Sequence, residues 1–206
     1  MFPRVYPITD VELAGVLHED QVSLLADGGA TFVQLREKHL SPAGFYHEAK
    51  AALAVARERG VTLIINDRVD IALALQADGV HLGQDDLPPE PARKLLGDDA
   101  IIGYSTHNVA QAVAAAALPV DYIAIGPIFE TGTKANPDPV IGLDGLRAVR
   151  KAVGNIPLVA IGGITAENAK DVIAAGADAV AVISALLAGG PSAITDRYRS
   201  FTHTLF

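Results

Sequence analysis

Eight short apolar runs recur along this 206-residue chain, and a stretch carrying helix signals follows each of them. The runs cover residues 5–9, 32–36, 62–66, 79–82, 101–105, 122–126, 158–161 and 179–183. Several are nearly continuous in Val, Ile, Leu and Ala. That is the pattern of parallel strands covered on both faces, whereas half-exposed strands alternate apolar with polar residues. The helix signals are local. Ser41 before Pro42 reads as an N-cap followed by proline at the first helical position, with Gly60 just past the end. Asn108 reads as the cap of an Ala-rich helix through Ala117, and Thr165 to Asn168 opens a helix that Gly176 closes. One helix is expected over 11–26 and another over 143–153.

Eight strand–helix units in this length allow about 26 residues each, the lower size limit of a (β/α)8 TIM barrel. The expected fold is therefore an α/β TIM barrel forming a single domain over residues 1–206. A doubly wound open sheet is the competing fold, but no G-x-G-x-x-G follows the first run. A weak internal echo suits the barrel: Asp78, Asp121 and Asp178 each stand just before a strand. They read as solvated or capping residues at the barrel's N-terminal end.

Composition narrows the chemistry. The absence of Cys excludes disulfide frameworks, thiolate metal sites and thiol nucleophiles. Sixteen Lys and Arg against 24 Asp and Glu give a formal charge of −8, which argues against an extended basic surface for nucleic acid or anionic membrane. It leaves room for a local anion site. No run approaches the roughly 18 apolar residues of a membrane span. The longest, 179–188, is interrupted by Ser184. The first ten residues have no apolar core of a signal peptide and lead into Asp10 and Glu12, so a cytoplasmic protein is expected.

In a TIM barrel the chemistry sits at the C-terminal ends of the strands. Alternation places Gln34, Arg36 and Lys38 on one side of the second strand end, either as a diphosphate clamp or as a strand end salt-bridged to Glu37. Asn66 and Asp67 end the third strand, and Asp86 follows the fourth. The two acids are candidates for Mg²⁺, which takes one or two carboxylates together with substrate phosphates, or else a helix cap and a loop turn. Ser105 offers a hydroxyl, and His107 is either an acid–base group or a satisfied polar residue. The long loop 127–142 carries Thr131, Thr133 and Lys134, a phosphate lid or an ordinary exposed loop. Gly162-Gly163 after the seventh strand and Ile183-Ser184 after the eighth fit the phosphate site that barrels build from backbone N–H groups. His18, His39, His47 and His203 show no metal spacing and read as surface residues. There is no Gly-x-Ser-x-Gly elbow and no Walker P-loop.

Taken together, Tyr6-Pro7-Ile8-Thr9-Asp10, Val33 to Lys38, Ile65 to Asp70, Gly79 to Asp86, Ser105 to Asn108, Gly126 to Phe129, Thr131 to Lys134 and Ala160 to Thr165 closely resemble the thiamine phosphate synthase family, in order and over nearly the whole chain. The resemblance implies a transferase of thiamine biosynthesis. It would join 4-amino-2-methyl-5-hydroxymethylpyrimidine diphosphate to a thiazole (carboxy)phosphate by a dissociative, Mg²⁺-assisted alkyl transfer. It implies that Gln34, Arg36, Lys38, Asn66, Ser105 and Lys134 hold the pyrimidine diphosphate. Of these, Arg36, Lys38, Ser105 and Lys134 would be the catalytic residues. By the same resemblance Asp67 and Asp86 would ligate Mg²⁺, and Thr131, Thr133, Gly163, Ile183 and Ser184 would place the thiazole phosphate. The implied partners are small phosphorylated substrates, with no nucleic acid and no membrane, and a homo-oligomer is left open. Tyr104 and Glu130 depart from the family pattern; Tyr104 either shapes the pyrimidine site or belongs to the core. The rivals are a thiazole tautomerase of the same barrel, a non-catalytic phosphate sensor, and another phosphate-barrel isomerase. The tautomerase tends to lack the complete diphosphate and Mg²⁺ set. A sensor has no need of paired carboxylates beside a cationic clamp, and an isomerase needs an acid–base pair that the sequence does not supply.

Overall fold

The computed structural model describes residues 2–132 and 138–205. Eight strands form one parallel sheet: β1 (Val5–Pro7), β2 (Phe32–Leu35), β3 (Thr62–Asn66), β4 (Gly79–Leu82), β5 (Ile101–Thr106), β6 (Tyr122–Ile125), β7 (Leu158–Ile161) and β8 (Ala179–Val182). Their spatial order is β1-β8-β7-β6-β5-β4-β3-β2. The ring closes where Ile8 bridges Gln34 in parallel and the Thr9 N–H donates to the Gln34 carbonyl at 2.9 Å. This is the expected TIM barrel, and the strand bounds differ from the sequence reading by no more than two residues at either end.

The helices are α1 (Val11–Ala14), α2 (His18–Asp27), α3 (Pro42–Arg59), α4 (Val69–Leu75), α5 (Pro89–Leu96), α6 (Val109–Ala115), α7 (Gly142–Val153), α8 (Ala169–Ala174), α9 (Ser184–Leu187) and α10 (Ile194–Leu205), with a 3-10 turn at Pro191–Ala193. Ser41 and Asn108 cap α3 and α6 as expected: their side chains accept from the Gly44 and Gln111 N–H groups. Two expectations need correction. The helix expected over 11–26 is broken, because Gly15 takes φ 70° and closes α1 by donating to the Val11 carbonyl. The helix expected to open at Thr165 starts at Ala169. Asn168 instead uses its side chain on the loop, accepting from the Thr165 N–H at 2.8 Å and donating to the Gly163 carbonyl at 3.0 Å. Among the described residues no helix is long and apolar enough to cross a membrane.

Alternation along the strands divides the apolar residues into two cores. One lies between the sheet and the helices, with Val33, Leu35, Leu63, Ile65, Ile102 and Ile123 facing outward. The other fills the barrel with Tyr6, Ile8, Phe32, Ile64, Tyr122, Val159 and the small Ala124, Ala179 and Ala181. Phe2 packs its ring on Phe32 and Tyr122, with centroids 4.9 and 5.1 Å apart, so aromatic rings stopper the N-terminal end.

The recurring aspartates are not merely solvated. Asp78, Asp121 and Asp178 each accept a backbone N–H from the preceding strand: Leu63 on β3, Ile102 on β5 and Leu158 on β7, at 2.7, 2.7 and 2.8 Å. These donors sit at strand starts, where the ladder supplies no partner. Arg93 binds Asp121 and Arg150 binds Asp178, and both guanidiniums also donate to loop carbonyls around them. Asp178→Ala leaves the Leu158 N–H without its acceptor and is expected to cost about 1–3 kcal/mol in urea unfolding. Asp178→Asn keeps an acceptor and is expected to lose less. Equal losses would show that the charge, and not the backbone bond, is what matters there.

Candidate active site

A cavity of about 580 Å³ opens at the C-terminal ends of the strands. Its lining includes every described residue to which the sequence assigned a site role: Gln34, Arg36, Lys38, Asn66, Asp67, Asp86, Ser105, Thr131, Gly163, Ile183 and Ser184. Thr133 and Lys134 lie outside the described residues.

The β2 side is cationic but already paired. The Lys38 ammonium bonds the Asp67 carboxylate, and Arg36 donates to Asp10 at 3.3 Å. Glu37, offered by the sequence as a salt-bridge partner of this strand end, turns instead to the backbone N–H groups of His39 and Leu40 and to His18. Burial works to raise its pKa, but those donors win and hold the carboxyl below its ordinary value.

Asp67 sits at φ 63°, left-handed backbone that Asp tolerates better than most residues. Its N–H donates to the His81 carbonyl at 2.8 Å, which aims the turn after β3 at β4. Asp86 accepts the Gly83 N–H at 2.7 Å. Burial, together with the neighbouring Asp67 carboxylate, pushes the Asp86 pKa up. Two carboxylates that repel each other at a cavity mouth form a hard, all-oxygen donor pair, and a divalent cation relieves that repulsion. Among the described residues there is no cluster of three or more protein ligands, so a cation here would draw its remaining oxygens from substrate and water. The residues present fit Mg²⁺.

The opposite rim is backbone. Gly162 and Gly163 take φ 102° and 65°. A Cβ on Gly163 would lie 2.4 Å from the Glu130 carbonyl oxygen, and one on Gly162 would lie 2.6 Å from the Pro127 Cα. These glycines let the segment after β6 pack directly on the end of β7, where Phe129 N–H donates to the Gly162 carbonyl at 3.0 Å. Their side-chain-free surface is thus partly a packing requirement.

The sequence reading misplaced or missed several residues. His18 was expected at the surface but is fully buried. The break at Gly15 starts α2 facing inward, with His18 Nδ1 2.8 Å from Thr9 Oγ1 and Nε2 3.5 Å from Glu37. Burial lowers its pKa. His39, His47 and His203 are exposed as expected. His107 is a satisfied polar residue whose Nδ1 lies 2.8 Å from the Gly126 carbonyl. Tyr104 packs with the outer core and does not shape the cavity; Glu130 is exposed. His81 was given no role. It lines the cavity, and burial pushes its pKa down to about 4. Its signal was available, because His81 shares the inward phase of β4 with Gly79 and Gly83.

A closed parallel barrel with cations, paired carboxylates and glycine-bordered backbone around one cavity at the C-terminal strand ends is the layout of a (β/α)8-barrel enzyme. The family model for thiamine monophosphate synthase matches residues 5–186. The chain is 50% identical over 186 residues to a thiamine-phosphate synthase of Chloroflexus aurantiacus, covering 90% of this chain and 85% of that one. It is 50% identical over 185 residues to one of Clostridium novyi, covering 89% and 90%. The solved thiamine phosphate pyrophosphorylase of Pyrococcus furiosus has a TM-score of 0.86 at 35% identity, covering 98% of this chain and 95% of that one. The chain belongs to the thiamine monophosphate synthase family and is a transferase.

The burial of His81 has a measurable consequence. Its folded pKa of about 4 lies below the ordinary 6.5, so the unfolded chain binds more protons between those values. Its contribution is intact above the ordinary pKa and is lost as pH falls through the window, on the order of 3 kcal/mol in all. Unfolding free energies at about pH 7 and pH 4.5 are expected to differ less in His81→Gln than in the unsubstituted protein. Equal differences would mean that His81 is not held neutral by burial.

Proposed function

We propose that this protein is a thiamine-phosphate synthase. It joins 4-amino-2-methyl-5-hydroxymethylpyrimidine diphosphate to a thiazole phosphate, usually the carboxylated form, and releases diphosphate. The observation that carries this reading is the convergence of Arg36 and Lys38, of Asp67 and Asp86, and of the polar Gln34, Asn66 and Ser105 on one cavity. The pyrimidine diphosphate occupies the side formed by β2 to β5. The thiazole phosphate sits at the ends of β7 and β8, held by Thr131 and by the backbone at Gly163, Ile183 and Ser184. Family likeness adds Thr133 to the thiazole side and Lys134 to the diphosphate.

The demanding step is loss of diphosphate from the pyrimidine methylene carbon. Negative charge grows on the leaving oxygens, and fixed cations stabilise that transition state more than the ground state. Arg36 presents a planar fork and Lys38 a point charge; both exchange an internal carboxylate for the diphosphate when it binds. Asp67 and Asp86 hold Mg²⁺, which when bound supplies further positive charge to the diphosphate. The thiazole nitrogen then captures the methylene cation, and a carboxylated thiazole loses CO₂. No protein nucleophile is required. The apolar lining at Ile8, Val159, Ile161 and Ala181 keeps water from the cation, and the thiazole site places the nitrogen against it.

Incubation with both substrates and Mg²⁺, followed by oxidation to thiochrome, is expected to give fluorescence. A signal no greater than that of the enzyme-free control would overturn the reading. Asp67→Asn keeps the left-handed turn and removes the charge, so turnover is expected to fall about a hundredfold or more with an unchanged melting temperature. Retained Mg²⁺-dependent turnover would remove Asp67 from the metal site.

A further inference from the structure

Five polar side chains form one continuous hydrogen-bonded chain across the cavity floor, and the reading above uses only its two ends. Gln34 Nε2 donates to Tyr6 Oη at 3.0 Å, and Tyr6 Oη lies 2.9 Å from Tyr122 Oη. Tyr122 Oη lies 2.9 Å from His81 Nδ1, and His81 Nε2 lies 2.8 Å from Ser105 Oγ. The path runs from β2 through β1, crosses the lumen to β6, and returns by β4 to β5. Its middle members are buried, with Tyr6 at 1%, Tyr122 at 0% and His81 at 7% exposure. The crossing needs a gap in β5. A Cβ on Gly103 would lie 2.0 Å from Tyr122 Cζ and 2.5 Å from His81 Nδ1.

Proton counting gives the chain a direction. An amide nitrogen only donates, so Tyr6 accepts from Gln34 and its own proton goes to Tyr122. Tyr122 passes its proton to His81 Nδ1. An imidazole that accepts at Nδ1 carries its proton on Nε2 and donates to Ser105 Oγ. The Ser105 proton is then free for a ligand, and the Gln34 carbonyl oxygen is the acceptor at the other end. Reversing the amide reverses every bond. Gln34 would then offer a donor, and the Ser105 proton would be consumed by His81. Both arrangements satisfy the buried hydroxyls, so one end fixes the other.

We propose that Tyr6, Tyr122 and His81 are positioning residues that set hydrogen-bond polarity across the site, making Ser105 a donor and the Gln34 carbonyl an acceptor toward the pyrimidine diphosphate. The ligand part of this rests on the proposed function. A Gln34 acceptor matches the amino group of an aminopyrimidine and opposes an oxo-pyrimidine, whose carbonyl would face the Gln34 oxygen without a proton between them. An unpaired contact of that kind is where polar sites discriminate most strongly. The relay thus sets selectivity for an amino over an oxo substituent from groups that need not touch the ligand.

Two measurements test it. In protein labelled with ¹⁵N-histidine, two-bond correlations report which ring nitrogen of His81 carries the proton, with His81→Gln assigning the signal. The expected proton is on Nε2; a proton on Nδ1 overturns the direction. This arm needs no activity, so it stands apart from the synthase reading. Tyr122→Phe deletes one hydroxyl and keeps the ring. It is expected to lower kcat/KM for the pyrimidine diphosphate about tenfold, the size of one net hydrogen bond, and to lower the melting temperature by several degrees, because the buried Tyr6 hydroxyl and His81 Nδ1 each lose a partner. In a Ser105→Ala background the same change is expected to have a clearly smaller effect, because only the Gln34 end of the relay remains to be reset. The full loss in both backgrounds would overturn the proposal. If Tyr122→Phe fails to fold, the imidazole signal of the unsubstituted protein decides.

Discussion

Side-chain alternation inside a closed parallel barrel is the constraint on which the rest of this molecule depends. Once the ring is closed at Ile8 and Gln34, every second residue of each strand must point inward, and the phase cannot differ between packing and chemistry. On β2 the inward series is Phe32, Gln34, Arg36; on β3 it is Ile64, Asn66; on β5 it is Ile101, Gly103, Ser105. Reading upward from Phe32, Ile64 and Ile101, each turns polar toward the C-terminal end, with Thr62 preceding Ile64 at the start of β3. The core residue that fixes the strand's rotation also fixes the direction of the site residue two or four positions later. A one-residue slip of β2 would bury Arg36 against helices and place Leu35 in the cavity.

Residue size grades along the same axis and creates the cavity. Phe2, Tyr6, Phe32 and Tyr122 fill the N-terminal end. Above them the interior falls to Ala124 and Ala181, which cannot fill the bore, while Gly103, level with Tyr122, leaves the space that its ring occupies. The tyrosines serve both zones. Their rings belong to the apolar stopper, and their hydroxyls form the polar floor. Such a hydroxyl is costly to bury alone, and the chain from Gln34 to Ser105 removes that cost by giving each a partner. A cavity floor built this way is rigid and still polar.

Much of this was legible in the sequence. The eight runs, the caps at Ser41 and Asn108 and the small unit size specify the barrel, because those signals are local or periodic. The cavity-lining set was legible from strand ends and from family resemblance. What escaped depends on contacts between distant segments. The depth of His18 follows from a helix break at Gly15 and from the position of Glu37, and no spacing along the chain reveals it. Asp78, Asp121 and Asp178 stand out as a repeat, but their acceptor role requires the neighbouring strand's register. The relay joins residues up to 116 positions apart, through side chains that each look like ordinary core.

The two ends of the barrel use the same residue types and differ in how completely they satisfy them. At the N-terminal end Asp121 and Asp178 are met by a backbone N–H and by an arginine, while the same arginines meet loop carbonyls. Neither of these two carboxylates calls for a further partner. At the C-terminal end Asp86 stands beside Asp67 with its pKa pushed up by burial and by that neighbour, and Lys38 bonds only one of the two. Arg36 and Lys38 rest on carboxylates that an anionic ligand can replace. Residual electrostatic conflict of this kind is costly to keep unless binding resolves it. On the proposed function, an acidic protein of formal charge −8 can receive a diphosphate because its cations rest beside carboxylates that a divalent cation would satisfy.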